Sequence, residues 1–123
     1  MVWYLEGNPR LGSRAKLILD DAAADLVLPL IALAEAAYIV ERGRTSLSCV
    51  TDLLERVEAD RRITVSPITW DVLRQSLSAI DIPEMHDRLI VGTAMHLQQS
   101  GHTVVLLTKD TTIAMSRRAA VLW

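Results

Sequence analysis

The sequence predicts an α/β fold: a mostly parallel central sheet between two helical layers, giving three layers, α/β/α. Three observations carry this. Short, apolar runs at Leu26–Leu28, Ile63–Val65 and Thr103–Leu107 alternate along the chain with segments of helical periodicity. The runs lack the polar alternation of a strand with one wet face, as strands of a parallel sheet covered on both faces do. Strand–helix alternation is the signature of crossover connections, which make neighbouring strands parallel. A length of 123 residues fits one domain, spanning residues 1–123.

In chain order, Trp3–Gly7 reads as the end of a helix. Pro9–Ala24 reads as a helix whose apolar face is Leu11, Ala15, Leu17, Ile18 and Ala22. Leu26–Leu28 is a strand before Pro29. Leu30–Arg42 is a strongly apolar helix stopped by Gly43. Ser46–Arg62 is amphipathic, with Ser48 as a possible cap and Val50, Leu53, Leu54 and Val57 on one face. Ile63–Val65 is the second strand, and Thr69 caps a helix over Trp70–Ala79. Met85–Ser100 is a helix closed by Gly101. Thr103–Leu107, β-branched and apolar, is the clearest strand. Thr111–Arg118 is a short helix, and Val121–Trp123 a terminal edge strand.

Half the residues are hydrophobic and 23% are charged, too apolar for a disordered chain. The net charge of −2 gives no global field toward nucleic acid, so such a substrate needs local cations. Cys49 is the only cysteine, which excludes an intrachain disulfide, fits a reducing cytoplasm and reads as a small buried side chain. No basic segment leads into an apolar one at the N-terminus, so no signal peptide is expected. The longest unbroken apolar run, Leu26–Ala34, is about 9 residues, well short of the ~20 a membrane span needs. There is no Gly-x-Gly-x-x-Gly, phosphate-binding loop or Gly-x-Ser-x-Gly.

In parallel α/β sheets, ligands bind outside the carboxyl ends of strands, so acids just after strands carry most of the functional information. Glu35 is the sole charge between Asp25 and Glu41, one and a half turns into the helix after the first strand. A carboxylate in that apolar company needs an ion-pair partner, a metal or an exposed position. Asp87 lies in the first turn of its helix, where it also complements the helix dipole. Asp110 follows the strand Thr103–Leu107 and also suits an N-cap. Clustered carboxylates repel unless a cation joins them, and all-oxygen donors suit Mg²⁺ or Mn²⁺.

These residues resemble the PIN-domain family, the small metal-dependent ribonucleases typified by VapC-type toxins. Met85-His86-Asp87-Arg88-Leu89-Ile90-Val91-Gly92-Thr93-Ala94 is similar to the family's most recognisable helix. Leu106-Leu107-Thr108-Lys109-Asp110 resembles its strand followed by Thr-x-Asp. Leu28–Glu35 resembles the segment bearing its Glu, with Gly43-Arg44 following as in VapC-type members. Trp3–Leu11 resembles the end of its first helix and the following turn.

The resemblance implies that Glu35, Asp87 and Asp110 are catalytic metal ligands for one or two divalent ions, Mg²⁺ or Mn²⁺. Thr108 becomes a polar support, and Arg88 orients the carboxylates, touches substrate or makes a surface ion pair. It implies an endoribonuclease toxin of a toxin–antitoxin pair that cleaves RNA phosphodiesters by metal-activated water. The expected partners are RNA, a cognate antitoxin peptide and a second copy of the chain, in the cytoplasm and away from membranes.

The family also opens with a strand ending in Asp, usually Asp-Thr or Asp-Ser, and that strand and Asp have no counterpart here. The expectation is a mis-called start, with Met1 inside the first helix, or an N-terminally truncated protein. A second function follows from that departure: a catalytically impaired PIN-fold binding module. An unrelated small α/β signalling domain with an acidic pocket is a third. His86, His96 and His102 lack metal-ligand spacing and read as structural. Arg61-Arg62 and Arg117-Arg118 read as solvated helix ends.

Overall fold

A computed structural model describes residues 1–123 and shows a mixed α/β chain in which every strand pairing is parallel. It divides into two compact units, Met1–Ser66 and Pro67–Trp123.

The first unit contains α1 (Val2–Leu5), α2 (Ser13–Asp20), β1 (Leu26–Pro29), α3 (Leu30–Glu41), α4 (Val50–Ala59) and β2 (Ile63–Ser66). β1 and β2 run parallel, with Leu26 opposite Ile63 and Pro29 opposite Ser66. Proline has no N–H to give a ladder, so it suits the last position of β1 and the entry to α3. The core is aliphatic: Leu28, Leu33, Ala36 and Val40 pack with Leu47, Leu53 and Val57. Leu28 is 7% exposed while its neighbour Val27 keeps 38%, the alternation that a pleated strand imposes. α3 ends where Gly43 takes φ +65°, a conformation a residue with a Cβ resists.

Two helices are shorter than the sequence periodicity suggests, and in each case a side chain captures backbone that a longer helix would use. Asn8 Oδ1 accepts the Arg10 N–H, so α2 starts only at Ser13. It stops at Asp20 because Asp21 Oδ1 accepts the Ala23 N–H. α4 starts at Val50, not Ser46, because Ser46 is held by its N–H (2.5 Å) and hydroxyl (3.1 Å) to Glu6 Oε1. Its N-cap is Cys49, with no side-chain cap bond. Cys49 is exposed, contrary to the buried position expected for it.

Arg62 is also unlike its sequence reading as a solvated helix end. Its Nη1 donates to Leu19 O and Asp21 O, both at 2.7 Å, and its Nη2 to Asp60 Oδ2 at 2.7 Å. Tyr4 donates its hydroxyl to the same Leu19 O at 2.8 Å. Together they satisfy carbonyls that the end of α2 leaves without intrahelical partners. The Arg62 guanidinium holds the Asp60 carboxyl below the usual range. Folded Asp60 therefore releases its proton more readily than unfolded Asp60. Its contribution is complete above the ordinary Asp pKa of ~3.9 and is lost as pH falls through the depressed value. In acid titrations followed by circular dichroism, Asp60→Asn should lower stability at neutral pH and flatten the acid limb. An unchanged acid limb would leave the pair without a stabilising role.

The second unit contains α5 (Trp70–Ser78), α6 (Met85–Gln99), β3 (Val105–Leu107), α7 (Thr111–Ser116) and β4 (Ala120–Leu122). β3 and β4 are parallel, with Val105 opposite Ala120. Thr69 caps α5 as the sequence predicts, accepting the Val72 N–H at 3.2 Å. α6 is capped by the Glu84 side chain, and Gly101 takes φ +93° just after it. Ala79, Ile82, Val91 and Ile113 form the buried centre, flanked by Met95, Leu106 and Val121. Arg118 Nε donates to Asp81 Oδ1 at 2.9 Å, tying the α5–α6 connection to the segment before β4.

α5 and α6 approach closely at Gly92. A Cβ there would lie 2.8 Å from Val72 O and 2.9 Å from Ser76 N, both backbone atoms. Glycine is thus needed at this point of α6 for proximity, since its own φ is ordinary for a helix. Thr93, next in the helix and buried, returns its hydroxyl to Leu89 O at 2.9 Å.

Candidate functional site

Each acid singled out in the sequence occupies the local position predicted for it. Glu35 is half-buried in the middle of α3, which follows β1 directly. Asp87 is half-buried in the first turn of α6, where its charge complements the exposed N–H groups of the helix start. Asp110 is the N-cap of α7, shortly after β3, and is half-buried. Its Oδ1 accepts the Ile113 N–H at 2.9 Å. Thr108 supports it: the Asp110 N–H donates to Thr108 Oγ1 at 3.1 Å. This is a turn in which two successive polar side chains fix the backbone between strand and helix.

Glu35 belongs to the first unit, and Asp87, Thr108 and Asp110 to the second. No group of three or more His, Cys, Asp or Glu side chains is assembled in an arrangement that could hold a metal ion. Two concavities stand out, and none of the three acids lines either. One lies in the first unit between Tyr4, Asn8, Leu11, Lys16 and Asp20. The other lies in the second, among Leu73, Leu77, Pro83, Met85 and Arg88.

Arg88 has a structural engagement that the sequence did not suggest. Its Nε donates to Ile82 O, and its Nη2 to Ile80 O at 3.4 Å. Both acceptors are in the connection between α5 and α6. The side chain therefore folds back across the start of its own helix and braces the segment that leads into Asp87. A guanidinium is suited to this because its donors fan out in one plane.

The sequence reading also passed over a feature of α3. Tyr38 and Arg42, one turn apart, form an exposed stacked pair, with Arg42 Cζ 4.7 Å from the ring centroid. Arg42 Nη2 also donates to the Tyr38 hydroxyl at 2.5 Å. Their spacing of four residues was visible in the sequence and is the signal that could have revealed them.

No helix is long and apolar enough to cross a membrane. No curated protein and no solved structure matches the chain. Among protein-family models, the PIN domain matches residues 1–119. That span takes in the Asp87 helix, the Thr108–Asp110 turn and the Glu35 helix alike. PIN domains are generally nucleases and typically depend on divalent metal, and the mixed α/β architecture with parallel strands agrees with their fold. This chain belongs to the PIN-domain family.

Proposed function

We propose that the chain is a divalent-metal-dependent endoribonuclease, the toxin of a toxin–antitoxin pair. The observation that carries the reading is the family match over residues 1–119, a span that includes acids at a helix start, a post-strand cap and an otherwise apolar helix.

Glu35, Asp87 and Asp110 are the residues proposed to hold Mg²⁺ or Mn²⁺, and their chemistry fits. All three offer carboxylate oxygens, the donors that hard divalent cations prefer. A bound ion supplies Lewis acidity toward water and a phosphodiester oxygen. The capping bond engages Asp110 Oδ1, fixes the rotamer and leaves Oδ2 as the oxygen to offer. Thr108 holds the backbone of Asp110 in place. Arg88 braces the start of α6, which makes it a positioning residue for Asp87. Asp110, held by its own capping bond, needs little rearrangement when charge develops on the substrate.

RNA, a cognate antitoxin peptide and a second copy of the chain are the proposed partners. Purified protein incubated with unstructured RNA and Mn²⁺ tests the reading. Cleavage that EDTA abolishes is the expected result. RNA binding with no cleavage under any divalent ion contradicts it and supports a catalytically impaired binding module instead.

A further inference from the structure

We propose that Tyr38 and Arg42 form a stacking subsite for one nucleobase of single-stranded RNA, next to Glu35 on the same face of α3. This rests on the ribonuclease reading above and adds to it a residue-level account of substrate binding.

With 3.6 residues per turn, Glu35, Tyr38 and Arg42 fall in one stripe, each three or four residues from the next. Glu35 is half-buried, whereas Tyr38 keeps 55% of its surface exposed and Arg42 is exposed. The stripe thus leads from the candidate metal ligand outward to solvent, as a polynucleotide must. Leaving a large aromatic ring this exposed gains little for the fold, since burial is what stabilises.

The charge pattern favours RNA as the occupant. Arg42 is held by the Tyr38 hydroxyl and ring, and no carboxylate stands within ion-pair range of it. The comparable pair in the second unit, Trp70 with Arg74, has Asp71 at 3.6 Å from the guanidinium. Arg74 thus has a carboxylate beside it, and Arg42 does not. Arg44 adds a second exposed cation two residues on, beyond the turn at Gly43. A ring that can stack on any base, combined with cations for the flanking phosphates, is how proteins hold single strands without reading sequence.

The test uses the full chain and a fluorescein-labelled, unstructured oligoribonucleotide. Binding is measured by anisotropy in EDTA, and cleavage by steady-state kinetics with Mn²⁺. Tyr38→Ala should raise Kd and KM about tenfold with kcat nearly unchanged. Tyr38→Phe, which keeps the ring, should stay close to wild type. An RNA with one abasic position in the bound segment should lose affinity for wild type but not for Tyr38→Ala. Wild-type Kd and KM in a folded Tyr38→Ala variant overturn the proposal alone if the wild type cleaves RNA. The same holds if the variant instead loses self-association in sedimentation, which assigns the face to a second copy. A wild type that neither binds nor cleaves RNA overturns this inference together with the ribonuclease reading.

Discussion

Gly92→Ala should lose about 1–3 kcal/mol of stability, seen as a Tm lower by several degrees, although helix propensity alone favours the change. Alanine in a helix interior is better than glycine by roughly 0.5–1 kcal/mol, so a freely exposed site would become more stable. At Gly92 the new Cβ meets Val72 O at 2.8 Å and Ser76 N at 2.9 Å. Backbone atoms cannot rotate away, so α5 must move as a body and its close approach to α6 at Val72 and Ser76 is disturbed. Close-packed interiors transmit such a shift instead of absorbing it. Gly92→Val should cost more, because it adds bulk toward Ser76 Cβ, at 3.0 Å, and lacks the propensity gain of alanine. The two effects on Gly92→Ala have opposite signs, so its thermal unfolding by circular dichroism decides between them. A Tm at or above wild type would mean that the helices are not held this close.

Asp110 lets the charge of a candidate ligand be separated from its structural work. Asp110→Ala removes both the N-cap bond to Ile113 and the carboxylate. Loss of a cap costs typically ~1 kcal/mol, within a range of about 0.5–2. Asp110→Asn keeps a side-chain oxygen that caps equally well and removes only the charge. If Asp110 is a metal ligand, both variants should lose RNA cleavage by roughly a hundredfold or more, a change of ~2.7 kcal/mol in the barrier. Only the alanine variant should also melt earlier. Full activity in Asp110→Asn would assign the residue to capping alone. Asp87→Asn has the same logic at the start of α6, where the lost charge–dipole interaction is worth about 0.3–1 kcal/mol.

The strands, the glycine stops and the caps of α5 and α7 were legible in the sequence because each is decided within a few residues, whereas Ser48 does not cap α4, whose N-cap is Cys49. Thr69 and Asp110 cap the helices they precede, and Gly43 and Gly101 take the positive φ that ends theirs. Helix lengths were less legible. Periodicity extends through Ser46–Arg62, yet α4 covers only Val50–Ala59. The missing turn at its start is held by Glu6, forty residues away in sequence, which no local pattern reveals. Arg62 was misread for the same reason, since its carbonyl partners at Leu19 and Asp21 are remote. Of the candidate site, the placement of each acid on its own element was legible, as was the Thr108–Asp110 turn. The bracing role of Arg88 was not, because a basic residue beside an acid suggests an ion pair before it suggests backbone carbonyls.

Titration of the full chain with Mn²⁺ by isothermal calorimetry tests the central claim most directly, with Glu35→Gln, Asp87→Asn and Asp110→Asn beside the wild type. Saturable binding by the wild type, weakened at least tenfold in every one of the folded variants, is the predicted result. Binding that is absent from the wild type, or that survives neutralisation of any of these three acids undiminished, contradicts it.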